Sequence, residues 1–170
     1  FPVLERNADL NAGKAAITAL NFAATPVPGP VEFEYSDAGF CNGGRHEGVS
    51  RWRHAHAFRL MVRGENLVQY LRSHHQDIDG RVRFVKVDAE GYDLAVIESI
   101  SALIDRERPF LRVEVHKLVD LAGRRRLFHV LASRGYAVWR VEADDNYRGE
   151  RLAAEGMDRR RQFDIFAEPR

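Results

Sequence analysis

Two short stretches gather side chains that could do chemistry. Residues 85–93, VKVDAEGYD, place Asp88, Glu90 and Asp93 around Gly91, and residues 113–117, VEVHK, place Glu114, His116 and Lys117 together. Carboxylates held close raise one another's pKa, and an imidazole beside them titrates near neutral pH. That is the make-up of a general base or of a metal site. Both stretches end strand-like runs, and in an open α/β sheet ligands gather beyond the carboxyl ends of the strands. If the two strands are neighbours, Asp88, Glu90, Glu114 and His116 converge in one cleft. A plainer reading stands beside this one, in which Asp93 caps the following helix and Glu90 and Glu114 pair with arginines such as Arg112.

Other clusters carry less. Cys41, His46, His54 and His56 lie in a glycine-rich stretch over residues 37–56, but their spacing matches no common structural zinc pattern. In the same stretch DAGFCNGG has the look of a cofactor loop, yet no helix opens directly after it to aim backbone donors at a phosphate. Trp52 with Arg51 and Arg53 reads as a lid over a substrate or, more simply, as part of a solvated loop. The arginine runs 124–126 and 159–161 read as solvated faces and stay outside the site.

The elements that must position the cluster follow from periodicity. A helix ends near Asn11 ahead of Gly13, and a strand runs within residues 15–25 up to PVPGP. VEFEYS, residues 31–36, alternates like a half-exposed strand, and residues 37–56 form a loop insertion. Strand 57–62, a short helix over 64–74 and strand 82–87 come next. In residues 93–106 Leu94, Ile97, Ile100 and Leu103 or Ile104 form one helical stripe, which Pro109 ends. Strand 110–115, helix 123–135 and strands 137–143 and 161–169 complete the chain. This alternation predicts an α/β fold, a doubly wound and mostly parallel sheet, with an antiparallel last strand because no clear helix precedes it.

Composition narrows the class. The chain has 170 residues, 45% hydrophobic and 30% charged, which predicts one domain with a packed core. A net charge of +1 gives no field to draw in nucleic acid or an anionic membrane, so neither is an expected partner. Cys41 is the one cysteine, which rules out an intrachain disulfide, and no run of ~18 apolar residues exists to span a bilayer. Cytoplasmic residence is the expectation; oligomeric state is not readable.

KVDAEGYDLAVIESISALIDRERPFLRVEVHK resembles the FkbM-type family of S-adenosylmethionine-dependent methyltransferases. The family pattern reads approximately K-[IV]-D-x-E-G-x-[ED]-x-x-[VI]-[LI], a helix, then R-P-x-[IL]-x-x-E. Lys86, Asp88, Glu90, Gly91, Asp93, Val96 and Ile97 fall on the first part, and Arg108, Pro109, Leu111 and Glu114 on the second. Leu4, Asn7, Leu10 and Asn11 fit a further pattern, L-x-x-N-x-x-L-N.

The resemblance implies a Rossmann-like methyltransferase sheet whose first strands, with a D-x-G-x-N cofactor loop, are expected before Phe1, so that residues 1–170 form a single, partial methyltransferase domain. It implies transfer of a methyl group from S-adenosylmethionine to a hydroxyl of a small molecule, sugar or polyketide. Asn21, Phe22, Ala23 and Ala24 then fall beside the adenine, and Asp88 between methyl group and acceptor. Asp88 or His116 is the expected base. No metal ligand is assigned, although a divalent cation held by Asp88, Glu90 and Glu114 would also lower the acceptor's pKa. The competing readings are a metal-dependent hydrolase built on the same acids and a non-enzymatic binding module.

Overall fold

Caps and breakers divide the chain much as its periodicity suggests. A computed structural model describes residues 1–35, 43–44 and 58–170. Proline opens α1 (Pro2–Leu10), and the Asn66 side chain caps α2 (Leu67–His74) by accepting from the Gln69 N–H. The strands are β1 (Ala23–Ala24), β2 (Gly29–Tyr35), β3 (Gly43–Gly44), β4 (Phe58–Glu65), β5 (Phe84–Val87), β6 (Phe110–Val115), β7 (Tyr136–Arg140) and β8 (Phe163–Pro169).

The single helix expected over residues 93–106 is two, α3 (Asp93–Ser99) and α4 (Ser101–Glu107), broken at Ile100. The Ser99 hydroxyl donates back to the Val96 carbonyl at 2.7 Å, a bond that bends helices. Arg108 ends α4 in the left-handed region, φ 52°, as the residue before Pro109 is pushed out of helical geometry. Asp120 caps α5 (Leu121–Ala132), its side chain accepting from the Gly123 N–H.

The strands form two four-stranded sheets, ordered β1-β4-β2-β3 and β5-β6-β8-β7. β5 and β6 are parallel, with α3 and α4 as their crossover, and β8 lies antiparallel to both β6 and β7. The antiparallel last strand is as expected: only a short 3-10 turn, Ala154–Asp158, is regular between β7 and β8, so the chain turns back. A mostly parallel sheet is not what the described residues form. Parallel pairing is confined to β5 with β6 and β1 with β4, because β2 and β4 run antiparallel over the whole of β2. The strand expected in residues 15–25 shrinks to Ala23–Ala24. It pairs with β4 alone, and half-exposed Ile17 has no packed face to drive its extension.

The core sits on one face of the second sheet. Ile97, Ile100, Leu103 and Ile104 from α3 and α4 join Leu127 and Leu131 from α5 against Leu111, Val113, Val115, Val138 and Ile165. Side chains alternate along a strand, so Phe110, Arg112 and Glu114 of β6 point to the opposite face. Of the loop insertion, Gly43–Gly44 pair with Glu34 and Tyr35; the rest, with Cys41, His46, Trp52, His54 and His56, lies outside the described residues.

Candidate functional site

Parallel pairing in register brings the two acidic stretches together. Val87 stands opposite Val113, so the next residues along each strand, Asp88 and Glu114, emerge side by side at the carboxyl ends of β5 and β6. One carboxylate oxygen from each of Asp88, Glu90 and Glu114 lies within 4.8 Å of the others. The expected convergence is present in the fold.

The turn after β5 is held from beneath. Glu90 has φ 50° and Gly91 φ 103°, the region that favours glycine, and a Cβ at Gly91 would stand 3.4 Å from His116 Nδ1. Asp93, 2% exposed, braces this turn: its Oδ1 accepts from the Ala89 N–H at 2.9 Å and its Oδ2 from the Gly91 N–H at 3.0 Å. Tyr92 occupies the cap position of α3, so the cap reading of Asp93 gives way to a brace for the Ala89–Gly91 turn. Burial pushes the Asp93 carboxyl up, and the backbone donors pull it back.

Each member of the cluster has a different environment. Asp88 is half-exposed and accepts from Lys86 Nζ at 2.9 Å. Glu90, also half-exposed, lies 3.2 Å from Nε2 of the buried His116. The Leu118 N–H points at His116 Nδ1 at 3.4 Å, which assigns the proton of a neutral ring to Nε2, facing Glu90. Glu114 is buried. Its Oε1 accepts from the Gln162 amide, while its Oε2 is enclosed with no hydrogen-bond partner. Burial pushes the Glu114 carboxyl up to about 7, with the negative charges of Asp93, Glu90 and Asp88 adding to it and Gln162 opposing it. Arg112 pairs with Asp164 at 2.7 Å and Asp144 at 3.1 Å, so the reading of Glu90 and Glu114 as its partners is replaced.

Asn21, Phe22, Ala23 and Ala24 stand on the first sheet and the loop entering it. Phe22 rests on Tyr70 with ring centroids 4.7 Å apart, and the next residue, Thr25, is buried and donates to the Val27 carbonyl.

One side chain that reads as part of a solvated face organises the region. Arg124 is 5% exposed and its guanidinium donates to five backbone carbonyls, those of Val119, His116, Met157, Arg160 and Arg161. It ties the segment after His116 to the connection before β8. A signal existed: Arg124 lies three and seven residues before Leu127 and Leu131, on the buried stripe of α5.

With this geometry in hand, comparison with known proteins adds one finding. Residues 6–147 match the family model described as the methyltransferase FkbM domain. No curated protein and no solved structure matches the chain.

Proposed function

Because this chain belongs to the FkbM methyltransferase family, we propose that it serves an S-adenosylmethionine-dependent O-methyltransferase whose acceptor is a hydroxyl of a small molecule, sugar or polyketide. The observation that carries this reading is the meeting of Asp88, Glu90, Glu114 and His116 at the carboxyl ends of two adjacent parallel strands, β5 and β6. The order β5-β6-β8-β7 with its antiparallel end supports a Rossmann-like methyltransferase sheet. The family match favours this reading over a metal-dependent hydrolase or a binding module.

S-adenosylmethionine, when bound, supplies an electrophilic methyl carbon on a sulfonium. Phe22, partly buried against Tyr70, offers an aromatic edge to an adenine, and Asn21, Ala23 and Ala24 flank it. Asp88 is the half-exposed carboxylate of the cluster at a strand tip, so it takes the acceptor's proton as the hydroxyl oxygen attacks. Lys86 orients Asp88 from behind. Glu90 Oε2 lies 3.2 Å from His116 Nε2 and helps to hold the imidazole in place, with Asp93 holding the turn that carries Glu90. His116 acts as a positioning residue in this arrangement.

The acceptor is a small molecule and not nucleic acid or a membrane, in keeping with a net charge of +1; among the described residues no helix is long and apolar enough to cross a membrane. A cytoplasmic setting suits the single cysteine. Titration calorimetry of S-adenosylmethionine and S-adenosylhomocysteine into the chain and into the full gene product tests the reading. Binding at micromolar concentration by the full product is the expected result. Binding by neither would overturn it.

A further inference from the structure

We propose that the tips of β5 and β6 form a binding site for one hard divalent cation, of the magnesium and calcium class, held by Asp88, Glu90 and Glu114. Three carboxylates supply only oxygen donors, which suit Mg2+ and Ca2+ and exclude the sulfur and nitrogen preference of a structural zinc site.

Two independent observations converge on that assignment. The first is spacing: the three oxygens lie within 4.8 Å of one another. Two ligands on opposite sides of a cation stand about 4.2 Å apart for Mg2+ and about 5 Å for Ca2+, from bond lengths of about 2.1 and 2.5 Å. Oxygens within 4.8 Å of one another are close enough to share one such cation after a small inward swing of Asp88 or Glu90, whose half-exposed side chains have room to move. The second is Glu114 itself. Its side chain is more than nine-tenths buried, and Oε2 has no hydrogen-bond partner although Oε1 has Gln162. A buried carboxylate oxygen without a donor is costly, and native proteins rarely leave one so. A cation at the cluster satisfies it.

The surroundings are compatible with added positive charge. Asp93 lies beneath the turn and adds to the negative potential, while Lys86 occupies Asp88 Oδ2 and leaves its other oxygen for a ligand bond. His116 Nε2 stays 3.2 Å from Glu90 Oε2 and so helps to orient that carboxylate, as partners of ligating groups do. A cation here would polarise an acceptor hydroxyl, but the inference rests on the carboxylate geometry and not on the methyl-transfer reading.

The test uses Mn2+ as a spin probe on the chain without any methyl donor, followed by competition with Mg2+ and Ca2+ at fixed ionic strength. One bound Mn2+ per chain is expected, displaced by Mg2+ or Ca2+ and accompanied by a rise in Tm. Glu114→Gln weakens it by about tenfold or more, and Asp145→Asn, at an exposed acid away from the cluster, leaves it unchanged. If Glu114→Gln fails to fold by circular dichroism, Asp88→Asn, at a half-exposed position, gives the same reading. No bound Mn2+ in the unaltered chain would overturn the proposal. Equal weakening in the cluster variants and Asp145→Asn, or none in either, would do the same. No outcome touches donor binding, so failure of the cation site and failure of the methyl-transfer reading are separately visible.

Discussion

The two sheets of this molecule are packed to different degrees. In the second, β5-β6-β8-β7, Leu111, Val113, Val115, Val138 and Ile165 are almost wholly enclosed beneath α3, α4 and α5. In the first, β1-β4-β2-β3, Val31 is the buried apolar strand side chain among the described residues, and the adjacent Leu60 and Met61 of β4 are 40% and 59% exposed. Successive residues of a strand face opposite ways, so at this point neither face of β4 is sealed. The four carboxylate and imidazole residues of the candidate site all belong to the better packed sheet. A site needs supporting elements that hold its groups to fractions of an ångström, and only close packing does that.

The largest effect that separates the sheets is cavity formation. Ile97→Ala, at a fully buried position on α3, is expected to cost about 3 to 4 kcal/mol in urea unfolding. Leu60→Ala, on half-exposed β4, is expected to cost about 0.5 kcal/mol or less. Comparable losses at the two positions would break the contrast drawn here. Next comes Arg124. Replacing it with Met keeps much of the side-chain volume and strands five carbonyls, so a loss of about 2 to 3 kcal/mol is expected. The same variant should broaden or shift the His116 ring resonances, since Arg124 holds the His116 carbonyl. An unchanged His116 spectrum would make Arg124 a purely local brace.

A smaller effect is pH dependence in divalent-free buffer. Glu114 has its carboxyl raised from 4.5 to about 7 in the fold. Between those values the unfolded chain has lost the proton and the folded one keeps it, so stability falls as pH rises from about 4.5 to about 7 and levels off above. Glu114→Gln should flatten much of that slope in thermal melts at a series of pH values. Asp93, also raised by burial, contributes with the same sign, and its share is what persists in the variant. A slope that Glu114→Gln leaves intact would show that the cluster does not bury its charge as described.

The same contrast explains what was legible in the sequence. VRFVKV and FLRVEV announce neighbouring strands because both are apolar runs joined by a helical stripe, and their ends fix Asp88 and Glu114 side by side. Glu90 and His116 follow from the turn that must come after. The first sheet gave weaker signals, since alternation in residues 15–25 marks a strand only where a partner and a sealed face exist, and only Ala23–Ala24 have the partner. The break at Ile100 is not legible in the sequence because a serine that bonds back to its own helix leaves the apolar stripe unchanged. Asp93 and Arg124 are illegible for one reason: a charged residue reads as a cap or a solvated face when its backbone partners, remote or in a tight turn, cannot be seen from the chain.

The smallest prediction bears on ion pairs and is the finest probe of the contrast. On the first sheet Arg59 and Glu32 stand at 3.3 Å with both side chains close to half-exposed. On the second, Arg112 and Asp164 stand at 2.7 Å with exposures of 18% and 27%. An exposed pair gains little because water screens it and two long side chains lose freedom, so a double-mutant cycle on Arg59 and Glu32 should give a coupling of about 0.5 kcal/mol or less. Arg112 also donates to Tyr147 and Asp144, so its network is pre-ordered before Asp164 is counted. Coupling with Asp164 should therefore exceed that of the first pair by about 0.5 to 1 kcal/mol and persist at high salt, where the first fades. Equal couplings with equal salt dependence would mean that the second sheet's face away from the helices is as wet as the first sheet, and that close packing ends at the helix-covered side.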